Sequence, residues 1–172
     1  MEVTEVLVAR IPVGNLRVPR AEFVSVWTTA ERLAREAGEQ RVLAWYPAGV
    51  TATCRWLAGA VVEDRFGRRP AESPVTWRSV RAFEELIEAE YLAAELLDVR
   101  RPYLLEQQPG WSEGIRATLR WAWRRQGPPP LTSSAEVASV VPAPQAAVDS
   151  GPRGRARPDP ARPPHSGYAP RS

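Results

Sequence analysis

Lysine is absent from this chain, so all 23 of its basic residues are arginine. Asparagine occurs once, at Asn15, and isoleucine three times. The bias matches a GC-rich genome, where codons for these residues are scarce. Arginine abundance is therefore no sign, by itself, of a polyanionic partner. The chemistry still differs from that of lysine, because guanidinium stays charged and bonds carboxylate or phosphate through two parallel contacts. The only histidine, His165, lies far from the apolar part of the chain, which excludes a histidine-based triad, acid–base pair or metal site there. Cys54 is the only cysteine, which excludes an internal disulfide and a cysteine zinc cluster. No glycine-rich phosphate loop is present. The longest apolar run, Ala48 to Val62, is too short for a bilayer and carries Arg55. The opening stretch MEVTEVLVARIPVG is acidic and interrupted by Pro12, so no secretory leader is expected. These absences leave no catalytic, metal-binding or cofactor-binding residue to nominate. They point to a cytoplasmic protein that needs no cofactor and does not enter a membrane.

The net charge of +3 is nearly balanced over residues 1–126, which hold 18 arginines against 17 acids. Residues 127–172 contain 11 of the 18 prolines and few large apolar side chains. Such a stretch cannot bury enough surface to offset its ordering entropy, so a disordered tail is expected there. Residues 1–19 are expected to be extended, because Val3 to Arg10 is partly alternating and Pro12, Gly14 and Pro19 interrupt the chain beyond it. Between them, residues 20–126 read as a helical domain.

Four helices are expected. The first runs from Arg20 to Ala37, with Phe23, Val26, Trp27, Ala30, Leu33 and Ala34 on one face and Gly38 at its end. Glu31 and Arg35, four residues apart, are expected to pair on its solvent side. The second covers Val42 to Val62 and either kinks at Pro47 or begins there. Its sequence is apolar nearly all round, which places it at the centre, and Gly49, Ala52 and Gly59 allow neighbours close. A polar loop, Glu63 to Pro74, comes next. The third helix spans Thr76 to Leu97, capped by Thr76, with Val80, Phe83, Leu86, Ile87, Tyr91, Ala94 and Leu97 facing inward. The fourth spans Ser112 to Gln126, started by Gly110 or Ser112 and stopped by QGPPP. The fold class is thus all-α, a compact bundle of about four helices with an extended N-terminal segment and a disordered C-terminal tail.

The fourth helix carries the sharpest functional question. Ile115, Leu119, Ala122 and Trp123 form its core stripe, while Arg116, Arg120 and Arg124 succeed one another along the next face. Trp121 and Arg125 lie beyond them. Arginines beside an aromatic ring suit a phosphate backbone or single-stranded bases. They equally suit a seam against the acidic third helix, with Glu84, Glu88 and Glu95 as partners. Two buried charges raise a second question. Glu90 falls in the apolar stripe of helix three and Arg55 in the apolar body of helix two, so each needs a partner. Pairing between Arg55 and Glu90 inside the bundle is the simplest solution. Cys54, with apolar neighbours, reads as an inert core thiol.

The segments TATCRWLAGA, RAFEELIEAEYLAAELL and PGWSEGIRATLRWAWRRQGPPPL resemble parts of small uncharacterised proteins from high-GC actinobacteria. The resemblance spans roughly residues 41–131 and implies an origin and a domain extent, with no functional residue to carry over. The reading that emerges is a non-enzymatic interaction protein, an adaptor or regulator acting through helix surfaces on a protein partner or a second copy of itself. The alternative is a weak nucleic-acid-binding module using Arg116, Arg120, Trp121, Arg124 and Arg125, with the tail adding charge.

Overall fold

The chain builds seven α-helices and one β-hairpin among its described residues, 2–64 and 67–132 of a computed structural model. All of these lie in the unit Met1–Val141. The helices are α1 (Glu5–Ala9), α2 (Arg20–Glu39), α3 (Trp45–Leu57), α4 (Glu84–Glu95), α5 (Leu97–Arg100), α6 (Tyr103–Gln107) and α7 (Trp111–Arg124). Strands β1 (Val61–Asp64) and β2 (Gly67–Pro70) pair antiparallel, with Val61 opposite Pro70. Four helices longer than two turns carry the fold, as expected for an all-α chain. The expected disordered tail lies outside the described residues from position 133 onward.

Helix α2 runs two residues past its expected end at Ala37. It is closed off at Arg41, which adopts a left-handed φ of 56°. The amide of Val42 then reaches the Ala37 carbonyl and the amide of Arg41 the Gly38 carbonyl, so these last carbonyls are satisfied by backbone alone. Pro47 neither kinks α3 nor marks its first residue. It sits in the first turn, where its missing N–H would have had no intrahelical partner.

Helices α3 and α7 form the centre. At their crossing Gly49 faces the Trp111 carbonyl and Gly114 faces the Tyr46 carbonyl. A methyl group added at Gly49 would fall 2.5 Å from the Trp111 oxygen, and one at Gly114 would collide with the Tyr46 oxygen. The two backbones therefore approach more closely than any other side chain permits. One turn on, each helix repeats the same device. Thr53 donates to the Gly49 carbonyl at 2.8 Å and Thr118 to the Gly114 carbonyl at 2.7 Å. Both hydroxyls are buried and need no partner from elsewhere. Around this seam Trp27, Trp56, Phe23, Leu57, Ile87, Ile115 and Leu119 fill the core.

Three expectations need correction. The N-terminal segment is not simply extended. It contains α1 and a one-turn 3-10 helix at Val13–Asn15. Asn15 is buried and donates to the carbonyls of Leu57 (2.8 Å) and Ala82 (3.2 Å), which ties residues 11–16 into the domain. The domain also continues beyond residue 126: Tyr46 donates to the Pro130 carbonyl at 3.0 Å and Leu131 packs on the core. The third helix begins at Glu84 rather than Thr76, and part of the expected polar loop, Glu63 to Pro74, is the hairpin.

The glycine crossing predicts opposite signs for the same substitution. Gly49→Ala and Gly114→Ala should each cost ~2 kcal/mol or more, as overpacking does. Gly38→Ala, in α2 with open space around it, should gain ~0.5–1 kcal/mol. Urea unfolding of the three variants checks both directions.

Candidate functional site

The buried carboxylates lead to the site. Arg55 and Glu90 do not meet, contrary to the pairing expected from the sequence. Arg55 instead forms a two-pronged ion pair with Glu31 of α2, with both N···O distances at 2.7 Å. The Trp27 indole donates to the same carboxylate at 3.0 Å. Burial pushes the Glu31 carboxyl up, but its bonds and charge attraction to Arg55 outweigh this and leave it below the ordinary glutamate value. Glu31 faces inward, rather than toward solvent and Arg35, because one turn of helix brings it beside Trp27. Cys54, fully buried, has its thiol pushed far up by burial and then by Glu31. It is an inert core group.

Glu90 finds its partners in backbone. Its Oε1 accepts from the amides of Val75 (2.5 Å) and Thr76 (2.9 Å), and its Oε2 accepts from the Thr76 hydroxyl (2.7 Å). The Thr76 proton is thereby committed, so Ser73 Oγ donates to Thr76 Oγ1 across 2.8 Å. Ser73 Oγ in turn accepts from the Arg78 amide at 3.0 Å. Glu90 thus braces the turn Ser73–Arg78, which its own backbone also closes, the Trp77 amide donating to the Ser73 carbonyl at 3.0 Å and the Ser73 amide to the Arg78 carbonyl at 3.1 Å. The third helix starts late because the left-handed Trp77 breaks the helical path after Thr76 and Phe83, just before α4, is extended. Thr76 does not cap α4. It belongs to this network.

The turn displays Trp77. This residue adopts a left-handed φ of 55° and leaves 56 % of its surface exposed. No glycine or asparagine relieves the strain, which costs of order 1–2 kcal/mol for an L-residue. The Arg101 guanidinium lies 4.4 Å from the centre of its ring and also donates to the Val75 carbonyl at 3.3 Å. Trp77 lines a cleft of about 250 Å³ together with Trp111, Ala52 and Pro74 and the polar side chains of Arg55, Arg69, Glu72 and Ser73. Arg69 is bonded to Glu72. Trp111 is itself fixed by an edge-on contact with Trp45, with ring centres 6.5 Å apart. The arrangement offers an aromatic plane and apolar walls, with both guanidiniums already paired, Arg55 to Glu31 and Arg69 to Glu72. It suits an apolar or proline side chain.

The arginine stripe of α7 takes its place in a seam. Arg124 bonds Glu88, Arg120 bonds Glu95 through two contacts, and Arg116 bonds Asp98. The order of partners runs oppositely along the two segments, so α4–α5 and α7 are antiparallel. Bonding to Glu95 raises Arg120 above its ordinary value. Glu88 accepts from the Trp123 indole as well, at 2.9 Å. Glu84 pairs with Arg17 rather than with α7. Trp121, expected on the outer surface, is buried and stacks on Phe23 with rings 6.4 Å apart and 9° from parallel. Phe23 reaches Trp121 from α2 while α3 packs along α7, so the apolar arc of α7 is wider than one stripe. Arg125 is exposed at the helix end, with a left-handed φ of 55°. The Trp77 turn was not expected from the sequence. Its one signal there is Glu90 itself, a carboxylate in an apolar stripe.

Comparison with protein-family models, with curated proteins and with solved structures finds no match to this chain.

The two carboxylates predict separate outcomes. Glu90→Ala leaves two amides and a hydroxyl without their acceptor, and should cost ~3 kcal/mol while the amides of Val75 and Thr76 lose protection in hydrogen exchange. Glu31, with its folded-state value lowered, stabilises the protein above the ordinary carboxylate range, and that contribution disappears as pH falls through the folded-state value. Glu31→Gln should therefore lower Tm at neutral pH and flatten the acid limb of a Tm-against-pH curve.

Proposed function

We propose that this chain is a non-enzymatic, cytoplasmic interaction protein, an adaptor or regulator, and that a protein partner docks at the Trp77 cleft. One observation carries the reading. The fold commits a fully buried carboxylate and a strained backbone to holding one tryptophan in solvent. A side chain kept only for stability gains nothing from that arrangement, because an exposed ring in a left-handed conformation lowers stability. A rigid, pre-placed tryptophan with an arginine stacked on it is what concentrates binding energy at protein interfaces. The cleft is lined mainly by aromatic and apolar groups, and its arginines are paired with carboxylates, which supports recognition of an apolar side chain. No helix among the described residues is long and apolar enough to cross a membrane.

The nucleic-acid reading draws less support from the geometry. Arg116, Arg120 and Arg124 each have a carboxylate partner, and Trp121 has no face to offer a base. Arg125, exposed at the end of α7, is the one arginine of that set with no carboxylate partner among the described residues.

The test uses the full chain as bait for a phage-displayed random peptide library. Selected peptides should lose most of their affinity for Trp77→Asn, while the variant's Tm stays within a few degrees, since asparagine tolerates the left-handed region. Peptides that bind both proteins equally would overturn the cleft assignment. Salt-sensitive binding of labelled duplex DNA or single-stranded RNA, lost in Arg125→Ala and kept in Trp77→Asn, would move the function to nucleic acid.

A further inference from the structure

Helix α4 and its continuation α5 are apolar on two opposite faces. Leu86, Ile87, Ala94 and Leu97 lie in the core with Glu90. One flank, Glu88, Glu95 and Asp98, is committed to the arginines of α7. The face turned away from the core carries Ala89, Leu92, Leu96 and Val99, at spacings of three and four residues. Leu92 is 54 % exposed, Leu96 45 % and Val99 81 %. An amphipathic helix needs one apolar face to join its own core, and a second such face stays in water only at a cost. Spacings of three and four in alternation are those of a two-helix seam.

The charges at the two ends of this face differ in sign. Glu84 and Glu85 stand at its start and Arg100 at its finish, all exposed. Glu84 bonds Arg17, whereas Glu85 and Arg100 have no ion-pair partner among the described residues. A copy of the same face laid antiparallel brings Glu85 toward the second copy's Arg100, and does so twice about a two-fold axis near Leu92 and Leu96. A parallel copy sets acid against acid and base against base. The surface is thus complementary to itself in one orientation only, which is the property a two-fold interface requires.

We propose that the chain self-associates through the outer face of α4–α5, antiparallel, with Leu92 and Leu96 at the centre and Glu85–Arg100 pairs at the ends. The occupant is a second copy of this chain. The surface is separate from the Trp77 cleft, and neither assignment depends on the other. The face spans about 15 residues, roughly 22 Å of helix, and covers less than the ~800 Å² per partner of a standard interface. The dimer is therefore weak and concentration-dependent.

Sedimentation equilibrium of the full chain across the micromolar range tests this. The expected result is a monomer–dimer equilibrium. Leu92→Glu or Leu96→Glu places a carboxylate in the seam of both copies, and should raise the dimer Kd at least about 10-fold. Both positions are exposed in the monomer, so far-UV circular dichroism and Tm should hold. Glu85→Arg and Arg100→Glu should each weaken the dimer, and the double reversal should restore it. A chain that stays monomeric throughout, or a dimer indifferent to Leu92→Glu and Leu96→Glu, overturns the proposal and leaves the face to an unlike partner. A dimer that the single reversals weaken and the double reversal fails to restore overturns the antiparallel arrangement.

Discussion

The close approach of two helix backbones at Gly49 and Gly114 is the constraint on which the rest of this structure depends. Side chains normally hold helix axes apart at 8–10 Å, and the absence of Cβ at one position on each helix removes that spacer. With the backbones so near, little room is left between them for polar side chains that need outside partners. The threonines one turn along answer by bonding back to the glycine carbonyls. The crossing also fixes the beginning of each helix. Trp45 and Trp111 meet edge to face there, and Trp111 becomes a wall of the cleft. Helix α7, once held, presents Arg116, Arg120 and Arg124 to α4 and α5. A shift at the glycines would therefore travel to the cleft and to the arginine seam together.

Glu31 and Glu90 show two ways of keeping a carboxylate inside. Glu31 takes a guanidinium and an indole, and its charge is balanced across the α2–α3 contact. Glu90 takes two amides and a hydroxyl from a loop, and its charge meets dipoles. An ion pair joins elements already packed together. A carboxylate bonded to successive amides imposes a shape on backbone that has no regular structure of its own. Glu90 braces the Ser73–Arg78 turn in this way, alongside the turn's own backbone bonds, and Trp77 is where it is strained.

Helix positions are legible in the sequence because the apolar spacing is strong in Arg20–Ala37, in the glycine-containing stretch after Pro47 and in the stretch after Gly110. The seam of acids and arginines is legible too, since Glu88 and Glu95 on one helix and arginines four apart on another have complementary geometry. The partners of single buried charges are not. Arg55 and Glu90 each need a counterpart, and sequence alone offers no distance between them. Glu31 lies beside Arg55 in space, yet its helical spacing to Arg35 points toward solvent. The late start of α4 is hidden for a related reason. Thr76 is a good cap and Val80 and Phe83 continue the helical spacing, but the left-handed Trp77 and the extended Phe83 break the helical path between them. Trp121 shows the same limit from the other side, since the width of a buried arc depends on how many neighbours a helix has.

Three features of the molecule run against local preference: a left-handed tryptophan, a fully buried glutamate among apolar residues, and a helix apolar on its outer face. Here the first two are one device, since Glu90 holds the turn that strains Trp77, and that turn stands over a cleft with a second tryptophan in its wall. The third stands apart, on the far side of the very helix that supplies Glu90. Residues of α4 thus serve the core, the turn, the arginine seam and the outer surface at once. The strained Trp77 and the outer apolar face lie at the surface, whereas the buried Glu90 has its bonds satisfied, and among the described residues the central helices keep two buried hydroxyls, Thr51 Oγ1 and Ser112 Oγ, without a hydrogen-bond partner.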